Sequence, residues 1–303
     1  MTSRNALLAI HFGAVMFGLS GVFGKLAEST PVIITLGRAG FAALALVLAA
    51  QFLHSAGMKP SPRQRAGLVL GGLLLGGHWL TFFMAVKIAG VGIATLGFAS
   101  FPAFTVLLEG LLFRERTRPV EYGMVALVCA GLLMVTPHFD LASDSTVGLL
   151  YGTLSGLTFA LLSLLNRAVT RGVDPVQAAL WQNGTILVSL LPFTGASLPA
   201  IPAMDWLWLA LLGVFCTGLA HSLFVASLSV LKARTTSVIF SLEPVYGIAF
   251  AWWLFSEQPT LRMLIGGALI ILASIITSRL KSPPVSNAAS PLGKTALPAS
   301  EKR

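Results

Sequence analysis

Apolar residues run for about 20 positions at a time along most of the chain, and charged residues gather in the short gaps between runs. A helix needs about 20 apolar residues to cross bilayer hydrocarbon, where every backbone polar group must be paired within the protein. The runs predict ten transmembrane helices, over 5–26, 32–53, 66–87, 91–113, 119–136, 146–167, 175–192, 206–230, 234–256 and 260–280. Apolar and polar residues do not alternate as in membrane β-strands, so a barrel is not expected. The expected fold class is therefore an all-α polytopic membrane protein. The first run follows Arg4, is long for a signal-peptide core and lacks a small-x-small cleavage site, so it reads as a retained first helix. After Lys281 the pattern stops, and the Pro/Ser/Ala-rich stretch 282–303 is expected to be a disordered cytoplasmic tail.

Composition agrees with this pattern. Only 10% of the 303 residues are charged and 55% are hydrophobic, whereas soluble domains carry about 25% charge. The net charge of +9 would suggest nucleic acid on a soluble surface. Here its distribution reports topology instead. Arg63 and Arg65, Arg114, Arg116 and Arg118, Arg167 and Arg171, Lys232 and Arg234, and Arg279 and Lys281 fall on one side of the ten-span scheme. Lys25, Lys87 and Arg262 fall on the other. The positive-inside rule then puts both termini in the cytoplasm. The two cysteines, Cys129 and Cys216, lie in apolar stretches, and neither a metal site nor a disulfide framework is expected. No Walker motif, zincin motif or Ser/His/Asp set is present, so the chain reads as neither an enzyme nor an ATP-driven pump, and no cofactor is expected.

The two halves match at an offset of 142 positions: Phe17 with Phe159, Lys25 with Arg167, Gly71 with Gly213, Pro102 with Pro244, and Phe113-x-Glu115 with Phe255-x-Glu257. A five-span unit has an odd number of crossings, so its second copy enters from the opposite side. The expectation is two inverted five-helix repeats, 1–137 (helices 1–5) and 146–281 (helices 6–10), an architecture of secondary transporters.

Two stretches carry a family resemblance. They are FGLSGVFGKLAEST-P with GRAGFAALAL, from Phe17 to Leu46, and SVIFSLEPVYGIAFAWWLFSEQPTLRMLIGGALIILAS, from Ser237 to Ser274. They resemble the EamA-type branch of the drug/metabolite transporter superfamily. The resemblance implies ten helices, a bacterial inner-membrane location and export of small metabolites, often amino acids. Phe17 departs from the family's usual Trp, and Phe101-Pro102 stands where the second half has Glu243-Pro244.

Candidate substrate-binding residues are the polar and aromatic side chains near mid-membrane. Pro102 and Pro244 interrupt helices 4 and 9 near their centres and should free the carbonyls of Phe98 and Phe240, making these helices candidates for a cavity wall. Glu243 lies about 14 Å into its helix at about 1.5 Å per residue. Such a carboxylate must be protonated, paired or hydrated. It reads either as a proton- or amine-binding group or as a structural residue of a Leu-Glu-Pro motif that the resemblance makes common. His78 and Trp79, with His221 opposite them in the second repeat, offer hydrogen bonds and a flat ring face; packing is the competing reading. Arg38 offers a fixed cation for a carboxylate, or a structural charge. Gln182 and Asn183 point about 100° apart on helix 7, so one of them should face the cavity.

The expected function is a secondary exporter of small polar metabolites such as amino acids, working by alternating access around helices 1, 3, 4, 6, 8 and 9, with helices 5 and 10 as scaffold. The alternatives are a proton-coupled exporter of cationic drugs and, from another class, an intramembrane lipid-handling protein or enzyme. The expected partners are a small-molecule substrate and the lipid bilayer, with protons as a candidate coupling ion. The sequence leaves substrate identity, direction and oligomeric state open.

Overall fold

The computed structural model describes residues 2–52, 59–113, 118–135, 140–170, 172–220 and 242–279, together with 223, 227, 231 and 239. His221, Phe240 and the 282–303 tail lie outside the described residues. The described helices are α1 (Ser3–Leu26), α2 (Pro31–Phe52), α3 (Pro62–Phe98), α4 (Phe101–Phe113), α5 (Pro119–Val135), α6 (Asp144–Val169), α7 (Pro175–Thr194), α8 (Ala203–Gly213), α9 (Glu243–Phe255) and α10 (Leu261–Arg279). A short 3₁₀ turn, Gly195–Ala200, follows α7, and a π-helical segment, Val214–Leu219, continues α8. Among the described residues there is no β-strand.

Local chemistry explains several helix starts. Ser61 and Gln64 form a reciprocal capping box at α3, and Asp174 accepts from the Val176 and Gln177 N–H groups ahead of α7, with Pro175 at its first position. Four helical stretches, Ser3–Leu26, Pro31–Gln51, Pro62–Phe98 and Asp144–Val169, are long and apolar enough to cross a membrane. The outward-facing side chains suit lipid: Val188, Phe193 and Trp253 are 76%, 82% and 75% exposed. So much open apolar surface marks contact with a membrane or another protein.

Helix boundaries differ from the expected spans in an informative way. Expected spans 3 and 4 run together in α3, joined at Gly90, whose φ of 85° only glycine adopts cheaply. The chain reverses there. Ala89 lies against Gly148 of α6, while Gly97 lies back against Gly152. The expected fourth span then breaks at Ala99–Ser100 before restarting as α4, and the ninth restarts after Leu242 as α9. Pro102 and Pro244 are therefore not mid-helix kinks. Each is the second residue of a new helix, where a missing N–H costs no helical hydrogen bond. The two restarts are built alike. Ser100 accepts from the Ala103 and Phe104 N–H groups, and Leu242 from those of Val245 and Tyr246. The Phe98 carbonyl lies against Gly156 of α6, where protein covers it.

Helix contacts are close where small residues meet. α6 packs along both arms of the α3 hairpin and against α4; α2 packs on α7, α1 on α9, and α5 on α10. A Cβ on Gly97 would sit 2.9 Å from the Gly152 backbone, which has no flexible end to give way. Gly77 has nothing within 4 Å of the same position. Gly97→Ala should therefore lower stability by about 1–3 kcal/mol from overpacking, whereas Gly77→Ala should be neutral or gain up to about 1 kcal/mol of helix propensity. Thermal unfolding of the two purified variants in detergent checks the contrast.

Candidate functional site

A cavity of about 710 Å³ lies between the helices, within the roughly 300–1,000 Å³ typical of small-molecule sites. Of the candidates read from the sequence, Arg38, His78, Trp79, Phe98, Gln182, Asn183 and Glu243 all line it, as do Pro102 and Pro244. For the other two candidates, His221 and Phe240, nothing is described. The helices contributing to the wall differ from expectation. α2 supplies Arg38, α7 supplies Gln182 and Asn183, and α10, expected to be scaffold, supplies Ile270, Ile271 and Ser274. α10 packs against α5 and reaches the cavity with these residues.

The two charges at the centre are Arg38 and Glu243, only 5% and 8% exposed. Arg38 Nε donates to Thr217 Oγ1 at 2.8 Å, and its guanidinium carbon lies 4.3 Å from the Trp79 ring centroid. Stacking on the indole fixes the plane of the guanidinium. Thr217 sits in the π-helical segment, the kind of irregularity often found at functional sites. Among the described residues the ion pairs are Lys25–Glu257 and Arg167–Glu109, so Arg38 and Glu243 face one cavity without forming a pair. Among the described residues neither charge has an opposite charge within 4.0 Å, so a ligand carrying both charges can complete the two.

His78 is held in place. Its Nδ1 lies 2.7 Å from Ser155 Oγ and 3.2 Å from the Ser155 carbonyl, while Ser155 Oγ donates to the His78 carbonyl. A carbonyl only accepts, so Nδ1 carries the proton. The ring then packs 5.0 Å from the centroids of both Phe98 and Phe159. On α7, Gln182 Nε2 donates to Asn166 Oδ1 at 2.7 Å, and Asn183 Nδ2 to the Ala179 carbonyl at 2.8 Å. Asn183 Oδ1 is buried with no hydrogen-bond partner. Both residues reach the cavity, whereas one was expected; the neighbouring Trp181 turns outward. Sequence reasoning missed Thr217, Ser155 and Asn166. A single hydroxyl or amide in an apolar run gives no pattern to read.

The cavity lies unevenly along the helices. Leu46, Glu109, Ser163, Asn166 and Ser274 line it in the halves of their helices nearest the face where α1 begins. The far end is tied shut. Glu257 accepts a hydrogen bond from Lys25 Nζ and lies 3.2 Å from the Val91 amide nitrogen and 3.5 Å from that of Gly92, the first amides after the Gly90 reversal. A carboxylate suits that helix start, where several N–H groups lack backbone partners. Beside it, Asp205 accepts from the Glu28 and Ser29 N–H groups at 3.0 and 2.7 Å and from the Ser29 hydroxyl. Lys87 donates to the Ala27 carbonyl, and Phe23 stacks on Trp208 at 5.9 Å. At the opposite end, Arg167 reaches Glu109 at 2.6 Å, and both side chains are partly exposed.

The model of the EamA-like transporter family matches the chain twice, over residues 4–136 and 146–279. An "Uncharacterized transporter" of Archaeoglobus fulgidus is 27% identical over 89% of this chain and 95% of its own length. The threonine/homoserine exporter RhtA of Escherichia coli (strain K12) is 25% identical over 88% and 92%. The pseudopaline exporter CntI of Pseudomonas aeruginosa (strain UCBPP-PA14) is 23% identical over 79% and 84%. A crystal structure at 18% identity superposes with a TM-score of 0.61, covering 92% of this chain and 98% of its own, which establishes likeness of fold.

The asymmetry of the cavity has a direct readout. With Cys129 and Cys216 replaced by alanine, a Ser163→Cys variant should react with a membrane-impermeant maleimide added at the α1-start face and not from the far face. Adding Glu257→Gln, which removes the carboxylate between Lys25 and the Val91 and Gly92 amides, should allow labelling from both. Gel-shift assays on sided vesicles measure this, and far-face labelling without the second substitution would contradict the closed end.

Proposed function

The chain belongs to the EamA-like transporter family, and we propose that it is a secondary exporter of zwitterionic metabolites, amino acids foremost. The observation that carries this reading is that two buried, opposite charges, Arg38 and Glu243, face one cavity with no ion pair among the described residues. A guanidinium receives a carboxylate through two parallel N–H bonds. Among the described residues, Arg38 makes its hydrogen bond through Nε, which leaves the terminal nitrogens for a ligand. Glu243 receives the ammonium, aided by the unpartnered Asn183 Oδ1. The two exporters among the relatives support the direction of transport. Arg38 on the wall weighs against a cationic-drug exporter, because it repels a cation entering the same space.

Alternating access is the proposed mechanism. Several features support an inverted repeat behind it. The helix restarts at Ser100 and Leu242 lie at the repeat offset of 142, and one family model matches each half. α1 packs on α9 as α6 packs on α4, while α2 and α7, and α5 and α10, pair across the halves. With the basic loops in the cytoplasm, the face where α1 begins is cytoplasmic, and the cavity described here is the inward-facing form. Release outward requires Lys25–Glu257 and the Asp205 contacts to part.

Counterflow in proteoliposomes with labelled amino acids and labelled organic cations tests the reading. Zwitterionic amino acids should exchange and cations should not. Arg38→Gln should raise half-saturation by about tenfold or more, the loss of one charge-assisted contact. Exchange of none of the amino acids would sink the proposal. Glu243→Gln should weaken binding as well. If Glu243→Gln also abolishes the pH dependence of transport, the carboxylate couples protons in addition to holding the amine.

A further inference from the structure

One wall of the cavity is mainly aromatic. Phe82, Phe98, Phe101 and Phe159 all line it, with the His78 ring among them. They form one interlocked set. Phe98 stacks on Phe101 at 5.4 Å, Phe159 meets both edge-on at 5.4 and 5.3 Å, and Phe82 meets Phe98 edge-on at 6.2 Å. Such packing fixes the rings in advance of any ligand. Phe98 and Phe82 are buried beneath, while Phe101 and Phe159 remain half-buried.

Arg38 borders this wall, its guanidinium carbon 4.3 Å from the Trp79 ring centroid and 5.9 Å from that of Phe83, but neither it nor Glu243 belongs to the ring set. Arg38 comes from α2 and Glu243 from α9, whereas the rings come from α3, α4 and α6. The carboxylate nearest the wall, Glu109, is occupied by Arg167. His78 donates a hydrogen bond from Nδ1–H to Ser155, and its ring packs against Phe98 and Phe159. The repeat makes the same point from the sequence. Phe101 stands 142 positions before Glu243, each directly ahead of its proline. One copy of the Xaa-Pro restart brings a carboxylate to the cavity and the other brings an aromatic ring.

We infer that this wall is a side-chain subsite and that the substrate is a zwitterion with an aromatic or large apolar side chain. The inference rests on the zwitterion reading proposed above and deepens it. The α-carboxylate and α-ammonium lie at Arg38 and Glu243, and the side chain lies against Phe101 and Phe159. A small hydroxylated side chain fits this wall poorly. It covers little of the apolar surface, and no donor or acceptor on the four phenylalanines meets its hydroxyl. By this inference the chain differs in preference from the threonine/homoserine exporter it resembles.

The test is counterflow in proteoliposomes with L-phenylalanine, L-tryptophan, L-leucine, L-threonine and L-homoserine, on the full chain and on Phe101→Ala and Phe159→Ala. Half-saturation for phenylalanine and tryptophan should lie at least about tenfold below that for threonine and homoserine. Each alanine variant should raise the phenylalanine value by about fivefold or more while threonine changes by less than about twofold. If either variant fails to fold, the substrate order of the unmodified chain decides alone. Threonine or homoserine bound as tightly as phenylalanine, or equal losses for both substrate classes in the variants, would overturn the subsite and leave the zwitterion reading standing. Exchange of no amino acid at all would remove the reading itself and the subsite with it.

Discussion

Backbone amides and carbonyls in a hydrocarbon layer must find partners within the protein, and the architecture follows from where this chain lets its helices stop. The breaks at Ala99–Ser100 and at Leu242 expose helix ends deep inside the molecule, so each must be covered by a neighbouring helix or face a cavity. α6 covers the first, with Gly156 against the Phe98 carbonyl and the Phe101 amide. α1 covers the second helix, with Gly18 against Tyr246 and Gly247. Between these two covered restarts lies the cavity, and the residues ahead of the two prolines line it. The glycines of α1, α3 and α6 are thus part of the same solution as the charges, since the restarts come close to their neighbours only where side chains are absent.

The polar groups divide by role according to their partners. Lys25, Glu257, Asp205, Ser29 and Lys87 are engaged by one another or by backbone, and they close one end. Arg38, Glu243 and Asn183 retain unused capacity and stand in the cavity. The first set is complete without a ligand and the second is not. This difference, more than depth in the membrane, separates the groups proposed to gate from those proposed to bind.

Much of the scaffold was legible in the sequence, because hydrocarbon imposes a length and a polarity that few residues violate. The family resemblance rested on residues that the fold uses directly, such as Leu242-Glu243-Pro244, which caps and restarts a helix. The mid-membrane residues were legible for the same reason, since a charge in an apolar run stands out. What was hidden is whatever depends on packing. Pro102 and Pro244 read as kinks, while the structure uses them as second residues of new helices. Gly90 carried no mark distinguishing it from the other glycines, though it alone turns α3 back on itself. The part played by α10 in the cavity wall could not be read from its aliphatic sequence, because nothing local says which face of a uniformly apolar helix turns inward. Thr217 takes its importance from a π-helical turn that has no sequence signature.

The exchange of Glu243 for Phe101 at matching restarts bears on energetics as well as on recognition. Under the alternating access proposed above, halves unlike at this position would not meet a bound solute in the same way when they trade places. Its affinity from one side of the membrane then differs from its affinity from the other. A carrier without an energy source cannot alter the final concentration ratio, so that difference must equal the difference between the loaded and the empty protein in their balance between the two forms. On the mechanism proposed above, the solute itself then shifts the balance, so the loaded protein and the empty one favour the two faces to different extents.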